Sequence, residues 1–300
     1  MSRVRNNTAG SPPDQRCKRT AALLKLEAFF SICFAYATEG STLITALALW
    51  LGASTFQIGI LGSINGIGML AVVAAPSLLR LFGGRRKRVM LVVNSLQYLS
   101  WLPVIYVALF RPPGSLMILF GSLTLAFIFA AQRRPVTLSW ASAVVPRAHR
   151  GRFLGARSGL ALIGAIIVAP LAGFTVDHFR DTPGLEGVGY AIAFGAGVFL
   201  GIGTLVCYAF SYDPGVKQPG THASIPRQLR ASLRHKPFQL LFTYRSLHIL
   251  VFSGLHRFLQ AYFIKGLGLS LFFLASATAL SKFAKLFSCL GAGHAVERHH

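Results

Sequence analysis

Acidic residues are what this sequence has least of. Only 8 of 300 residues are Asp or Glu, against 30 Lys and Arg, and charged residues of both signs make up 13% of the chain. A soluble domain carries about 25%, so an ordinary soluble globular protein is excluded. Cysteine is scarce too. The 4 residues Cys17, Cys33, Cys207 and Cys289 form no C-x-x-C pair. They give no disulfide framework and no zinc site, and three of them read as small hydrophobes in or beside apolar runs. No Ser-His-Asp order, paired carboxylates or phosphate loop stands out, so nothing points to an enzyme. Cys289, His294, His299 and His300 gather near the end of the sequence without a supporting shell, and no metal or other cofactor is expected.

What is present is apolar and basic. Hydrophobic residues make up 53% of the chain, and the mean hydropathy is +0.57. The formal net charge is +22. Such a charge raises the question of nucleic acid. The placement of the basic residues answers it, because they lie mostly in short segments between long apolar runs. That is the positive-inside pattern of a membrane protein, and no nucleic-acid partner is expected.

The pattern is clearest at Leu78 to Met90, where Gly83-Gly84-Arg85-Arg86-Lys87-Arg88 separates two apolar runs, Phe56 to Leu79 and Val89 to Phe110. A helix crosses the hydrocarbon core with about 20 apolar residues, so the cluster reads as a tight cytoplasmic turn between two spans. The rest of the chain divides in the same way. Residues 1–21 are polar and basic and read as a disordered cytoplasmic arm rather than a secretory signal, since the apolar run that follows is too long. Residues 22–210 hold six spans: about Ala22 to Leu51, the two just given, Ser115 to Ala131, Ser158 to Val176 and Val188 to Phe210. Residues 211–236 form a basic cytoplasmic loop. Residues 237–300 hold two more spans, about Pro237 to Ile264 and Leu267 to Leu290. The N-terminal arm and the connections after spans 2, 4 and 6 are strongly basic, whereas those after spans 1, 3, 5 and 7 carry 0, 1, 1 and 1 Lys or Arg. The alternation puts the N-terminus inside. The expected fold is all-α, a multi-pass bundle whose first partner is the lipid bilayer.

Polar residues inside spans are the functional candidates, because a charge at mid-membrane costs roughly 2.5–3.5 kcal/mol on insertion scales. Glu39 in span 1 is the sharpest. Helical spacing sets Ser31, Ala35, Glu39, Thr42 and Ala46 on one small or polar stripe. Glu39 is either a protonatable group lining a central path or a structural hydrogen-bond partner of a neighbouring helix. Arg133 and Arg134 close span 4 beside Gln132. They read as an anchor at the inner interface, or as a partner for Glu39 or for an anionic substrate. Asn65, Asn94 and Gln97 are explained by interhelical hydrogen bonds. Gly62 and Gly66 form a G-x-x-x-G at which two helices can approach. In span 7, Arg245 and His248 share a face, near His256, Arg257 and Gln260. Arg150, Gly151 and Arg152 form an interfacial turn facing lipid phosphates, and Lys282 and Lys285 snorkel.

Several motifs, in their order, resemble bacterial members of the major facilitator superfamily. They are Leu51-Gly52-Ala53-Ser54 before span 2, the Gly83-Gly84-Arg85-Arg86-Lys87 turn after it, and Val145-Pro146 followed by Arg150-Gly151-Arg152-Phe153-Leu154-Gly155 before span 5. Gly266-Leu267-Gly268-Leu269-Ser270 between spans 7 and 8 completes the set. The resemblance covers about Leu26 onward. It implies secondary active transport of a small-molecule substrate by alternating access, without a cofactor, in a bacterial inner membrane. Proton coupling would then fall to Glu39. The implied path residues are Glu39, Thr42, Asn65, Arg133, Arg134, Arg245 and His248. The implied gating loop is Gly83, Gly84, Arg85 and Arg86, with its second copy beginning at Gly293 and including Glu297 and Arg298. Two departures stand out. The Asp that opens the family's loop is missing, since Pro76-Ser77-Leu78-Leu79-Arg80 precedes Gly83. The family has twelve spans, and this chain shows eight. The chain therefore reads as truncated after the eighth span, as an incomplete sequence, or as one needing a second chain to supply the rest. The alternative to transport is a non-transporting remnant or a half-transporter.

Overall fold

The computed structural model describes residues 15–215 and 236–298. Apolar runs become helices because a backbone in lipid must satisfy its own N–H and C=O groups. Helices α1 (Gln15–Ala37) and α2 (Ser41–Trp50) form the first crossing. The second is α3 (Thr55–Leu70), a short 3-10 turn (Ala71–Ala74) and α4 (Ala75–Leu81). The third is α5 (Arg86–Leu99) with α6 (Leu102–Phe110). Then come α7 (Ser115–Val144), α8 (Arg150–Arg180) and α9 (Glu186–Phe210). After the central connection lie α10 (Lys236–Lys265) and α11 (Leu271–Arg298). Among the described residues, 6 helical segments, from Gln15–Trp50 to Glu186–Phe210, are long and apolar enough to cross a membrane.

Several boundaries differ from the sequence reading; α8, for one, begins at Arg150 rather than Ser158. Helix α1 begins at Gln15, inside the arm expected to be disordered. The fourth crossing runs on through Pro135 to Val144, well past Ala131. Helix α11 continues to Arg298, through residues expected to open a loop. At α1, α7 and α8 the sequence reading stopped the helix where basic residues begin, and at α11 it stopped before residues that resemble the start of a loop. Arg and Lys stems, however, are good helix formers and reach water from a helix end. The central connection is described only to Gly215, so the basic residues expected at Lys217, Arg227, Arg230 and Arg234 lie outside the described residues.

The burial pattern runs against that of a water-soluble core. Glu27, Ser31, Thr38, Thr45, Asn94, Gln97, Gln132 and Thr204 are buried, whereas Met117, Phe199, Leu171 and Phe210 are exposed. Lipid solvates the apolar surface, so polar groups turn inward to find partners. One apolar cluster packs Phe34, Leu47, Trp101, Leu123 and Phe194 and extends to Ala53, Ala108 and Leu271. Another packs Leu24, Met90, Val136, Trp140, Phe153 and Tyr208 at the basic end.

Helix α1 lies between α8 and α9, and glycines make that fit. A Cβ on Gly164 would sit 2.8 Å from Cys33 Sγ, and one on Gly197 would sit 2.8 Å from Ala37 Cβ. The glycine expected to mediate packing, Gly66, has nothing within 4 Å of where its Cβ would be. Its neighbour Gly68 makes the contact instead, against Phe127 at 2.7 Å.

Candidate functional site: a broken helix beside a polar cavity

The first crossing is broken at Thr38, Glu39 and Gly40. The Thr38 amide and hydroxyl both donate to the Phe34 carbonyl, at 2.9 and 2.7 Å, and close α1. Gly40 then takes an extended backbone (φ −52°, ψ 127°) before α2 starts. Glu39 therefore stands at the gap between two half-helices rather than on the side of a continuous one. It is 11 residues before Trp50, or roughly 17 Å of helix rise. Trp50 marks the end of the crossing. Its indole donates to Glu186 at 3.2 Å, and the Arg111 guanidinium lies 4.8 Å from its ring centroid. That depth puts Glu39 about halfway across a ~30 Å core.

A short polar chain holds the carboxylate. Gln97 Nε2 on α5 donates to Glu39 Oε1 at 2.5 Å, and Gln97 Oε1 accepts from Arg133 Nη1 at 3.3 Å. Arg133 Nη2 donates to Ser31 Oγ. The amide of Gln97 thus lies between an acid and a base, its donor end toward the acid and its acceptor end toward the base. Arg133 belongs to this inner cluster, not to an interfacial anchor. The interhelical hydrogen bond expected of Gln97 is present, and it joins the first, third and fourth crossings.

On its other side Glu39 borders a cavity of about 570 Å³. Glu39 comes from the α1–α2 break, Thr42 from the first turn of α2, Ala169 from α8, His256 and Gln260 from α10, and Lys282 from α11. Thr42 Oγ1 donates to Gln260 Oε1 at 3.0 Å, so the first turn of α2, just past the break, is tied directly to α10. One helical turn further toward Trp50, Arg257 Nη1 donates to Thr45 Oγ1 at 3.4 Å. The cavity therefore carries an acid on one wall, a lysine and an imidazole on the other, and hydroxyl and amide groups between. Lys282, expected to snorkel, faces this cavity instead.

The other sequence candidates are distributed differently. Asn65 is exposed on α3 and Arg134 is exposed on α7, and neither lines the cavity. Arg245, His248 and Glu297 lie on helical backbone, and Arg298 ends α11. The side chains of these four residues are outside the described ones. In the basic turn, Gly83 and Gly84 take positive φ (63° and 73°), a conformation glycine adopts without strain. Arg85 is exposed, but Arg86 is buried and paired with Asp213 at 3.6 Å.

The sequence reading passed over two groups. Glu27 is 1% exposed and accepts from Arg157 Nη2 at 2.8 Å. Asp177 accepts from the backbone amides of Leu271 and Phe272 at 3.1 and 2.7 Å, capping α11. With so few acids in the chain, each one beside an apolar run was a signal in itself.

A multi-pass helical bundle with a broken helix and a charged cavity between two sets of helices is the architecture of a membrane transporter. The family profile of the Major Facilitator Superfamily matches residues 28–299, and the chain belongs to that superfamily. Transport of small molecules across a lipid bilayer is the general function of its members, which as transporters are generally not enzymes. No curated protein matches the chain.

Proposed function

We propose that the chain is a secondary active transporter that moves a small polar solute by alternating access, with proton movement coupled at Glu39. The observation that carries this reading is the position of Glu39. It sits at the gap between α1 and α2, bonded to Gln97 on one side and bordering the cavity on the other. Substrate sites of such transporters lie near the midplane between two sets of helices, often where a helix is discontinuous. When Glu39 binds a proton it loses its charge, and with it much of its hold on Gln97 and Arg133. Solute entering the cavity meets Thr42 and Gln260, whose hydrogen bond joins the first crossing to α10. Opening and closing the path changes that junction, which links proton and solute binding to one movement. The charge alternation of the connections supports a cytoplasmic N-terminus, and the resemblance of the motifs supports a bacterial inner membrane.

The test uses the full chain in proteoliposomes loaded with a pH-sensitive dye. A panel of sugars, amino acids and organic cations and anions is added outside. At least one solute is expected to drive proton entry in the wild type. Glu39→Gln is expected to lose proton-driven accumulation of that solute while still exchanging it down its own gradient. Unchanged accumulation in Glu39→Gln removes Glu39 from the mechanism.

A further inference from the structure

A second cavity, of about 490 Å³, lies at the basic end of the bundle, walled by the start of α1, the end of α7 and the start of α8. Lys18, Lys25, His149 and Arg152 line it, and among the described residues no Asp or Glu does. Lys18 and Lys25 are seven apart and so share a face of α1. The inner wall is apolar and buried, formed by Val145 and Phe153. The Lys25 ammonium lies 5.8 Å from the Phe153 ring centroid. Glu27 is two residues from Lys25, but it is committed to Arg157 at 2.8 Å and does not neutralise these cations.

Cations gathered without a carboxylate need an anion. An apolar wall beside them needs an apolar chain. A free phosphate satisfies only the first need, and a fatty or aromatic solute only the second. The place also matters, because the last turn of α7 and the first turn of α8 mark where the bundle meets the membrane surface. We infer that this cavity is a binding site for one anionic phospholipid. Its phosphate sits among Lys18, Lys25 and Arg152, and its acyl chain runs along Phe153 and Val145. Basic pockets between helices at the cytoplasmic face are suited to such headgroups. The site is separate from the cavity at Glu39 and does not depend on the transport reading.

The full chain, purified in an uncharged detergent, is titrated with short-chain phosphatidylglycerol and with phosphatidylcholine of the same acyl chains, and bound lipid is counted by native mass spectrometry. One phosphatidylglycerol per chain is expected to be retained in preference to phosphatidylcholine. Each cation near an anionic headgroup contributes roughly fivefold, so Lys18→Gln, Lys25→Gln and Arg152→Gln together are expected to weaken retention about 100-fold. Lys25→Arg, which keeps the charge, is expected to retain the lipid. The thermal midpoint in lipid-free detergent shows whether the triple variant is folded. If it is not, Lys25→Gln alone is read, with about a fivefold loss. Equal retention of the two lipids, or unchanged retention in the folded variants, overturns the site. Displacement of phosphatidylglycerol by an equal concentration of glycerol phosphate or inorganic phosphate overturns its assignment to a lipid.

Discussion

The guanidinium of Arg86 and the carboxylate of Asp213 pair at 3.6 Å, each side chain only 7% exposed. The basic turn lacks the acid of related loops, yet its arginine finds one on the segment that leaves α9. The contact is reinforced on both sides. Arg86 Nε donates to Ser139 Oγ and Arg86 Nη1 to the Gly215 carbonyl, both at 3.1 Å, and the Lys87 amide donates to Asp213 Oδ2 at 3.0 Å. The pair therefore ties the second connection to the fourth crossing and to the start of the central connection. Removing one member of a buried pair leaves an uncompensated charge, typically worth about 3–5 kcal/mol. Asp213→Asn is expected to lower the thermal midpoint in detergent clearly. A double variant with Arg86→Gln is expected to be less impaired than the sum of the two single changes, and a double-mutant cycle measures the coupling.

Helix α8 holds the start of α11 through two residues one turn apart. Asp177 caps its first amides, and Gly173 lets its backbone approach so closely that a Cβ there would lie 2.7 Å from the Leu271 carbonyl oxygen. The glycine is needed because the atoms it faces are backbone and cannot turn aside. Asp177→Ala is expected to cost about 1 kcal/mol, as for the loss of a helix cap. Gly173→Ala is expected to cost about 1–3 kcal/mol by overpacking. Cysteines placed on α8 and α11 near this contact and cross-linked in membranes provide the second readout. Both variants are expected to slow cross-linking, because both loosen the same junction.

The all-α, membrane-spanning class was legible in the sequence because apolar runs of spanning length are a strong signal, and a basic segment between them marks where they turn. The break at Thr38 to Gly40 was not legible. Glu39 and Gly40 sit within an apolar stretch whose periodicity is the same for a straight helix and for two half-helices, and the features that mark the gap, the Thr38 hydroxyl bonded back to Phe34 and the extended backbone of Gly40, leave no periodic trace. Arg133 was ambiguous for a related reason. Position alone set it near the end of a span, but α7 runs 11 residues beyond it to Val144, which brings it inside the bundle. The partners of Arg86 and of α11 were hidden because Asp213 and Asp177 stand far away in sequence, and a lone acid in a connection carries no mark of what it will bind. Asn65 misled in the opposite way. A polar residue in a span suggests an inward face, yet α3 turns it outward.

The amide of Gln97 is oriented by having an acid at one end and a base at the other. Gln97→Glu keeps the acceptor for Arg133 but sets a second acid against Glu39. Gln97→Leu removes both bonds. Under the proposed coupling, Gln97→Leu is expected to reduce proton-driven uptake by about tenfold, equivalent to about 1.4 kcal/mol, which is the size of a hydrogen bond to a charged group. Gln97→Glu is expected to shift the pH dependence of uptake, because two neighbouring carboxylates do not both ionise readily. Arg133→Lys keeps the charge but loses the forked geometry that reaches Gln97 and Ser31 together, so its uptake is expected to fall as well. Wild-type uptake and pH profile in all three variants would separate this chain of residues from transport.

The first crossing carries two acids 12 residues apart, and the structure gives them different surroundings. Glu27 is buried and bonded to Arg157, whose Nε also donates to the Leu24 carbonyl at 3.2 Å, so the pair locks α1 to α8. Glu39 borders a cavity and is held by a neutral amide. A buried, directly paired acid is costly to disturb and does not exchange protons easily with a path it does not touch. An acid on a cavity wall does. Glu27→Gln is therefore expected to lower the thermal midpoint, with a cost of about 3 kcal/mol or more, while the molecules that remain folded keep their proton dependence. Replacing the whole pair by Glu27→Leu with Arg157→Met is expected to be milder than Glu27→Gln alone, since no unpaired charge is left behind. Glu39→Gln is expected to show the reverse pattern, with a near-normal midpoint and no proton-driven accumulation. Measuring both quantities on the same preparations of each variant decides the matter, and loss of coupling in folded Glu27→Gln would assign the proton to the wrong acid.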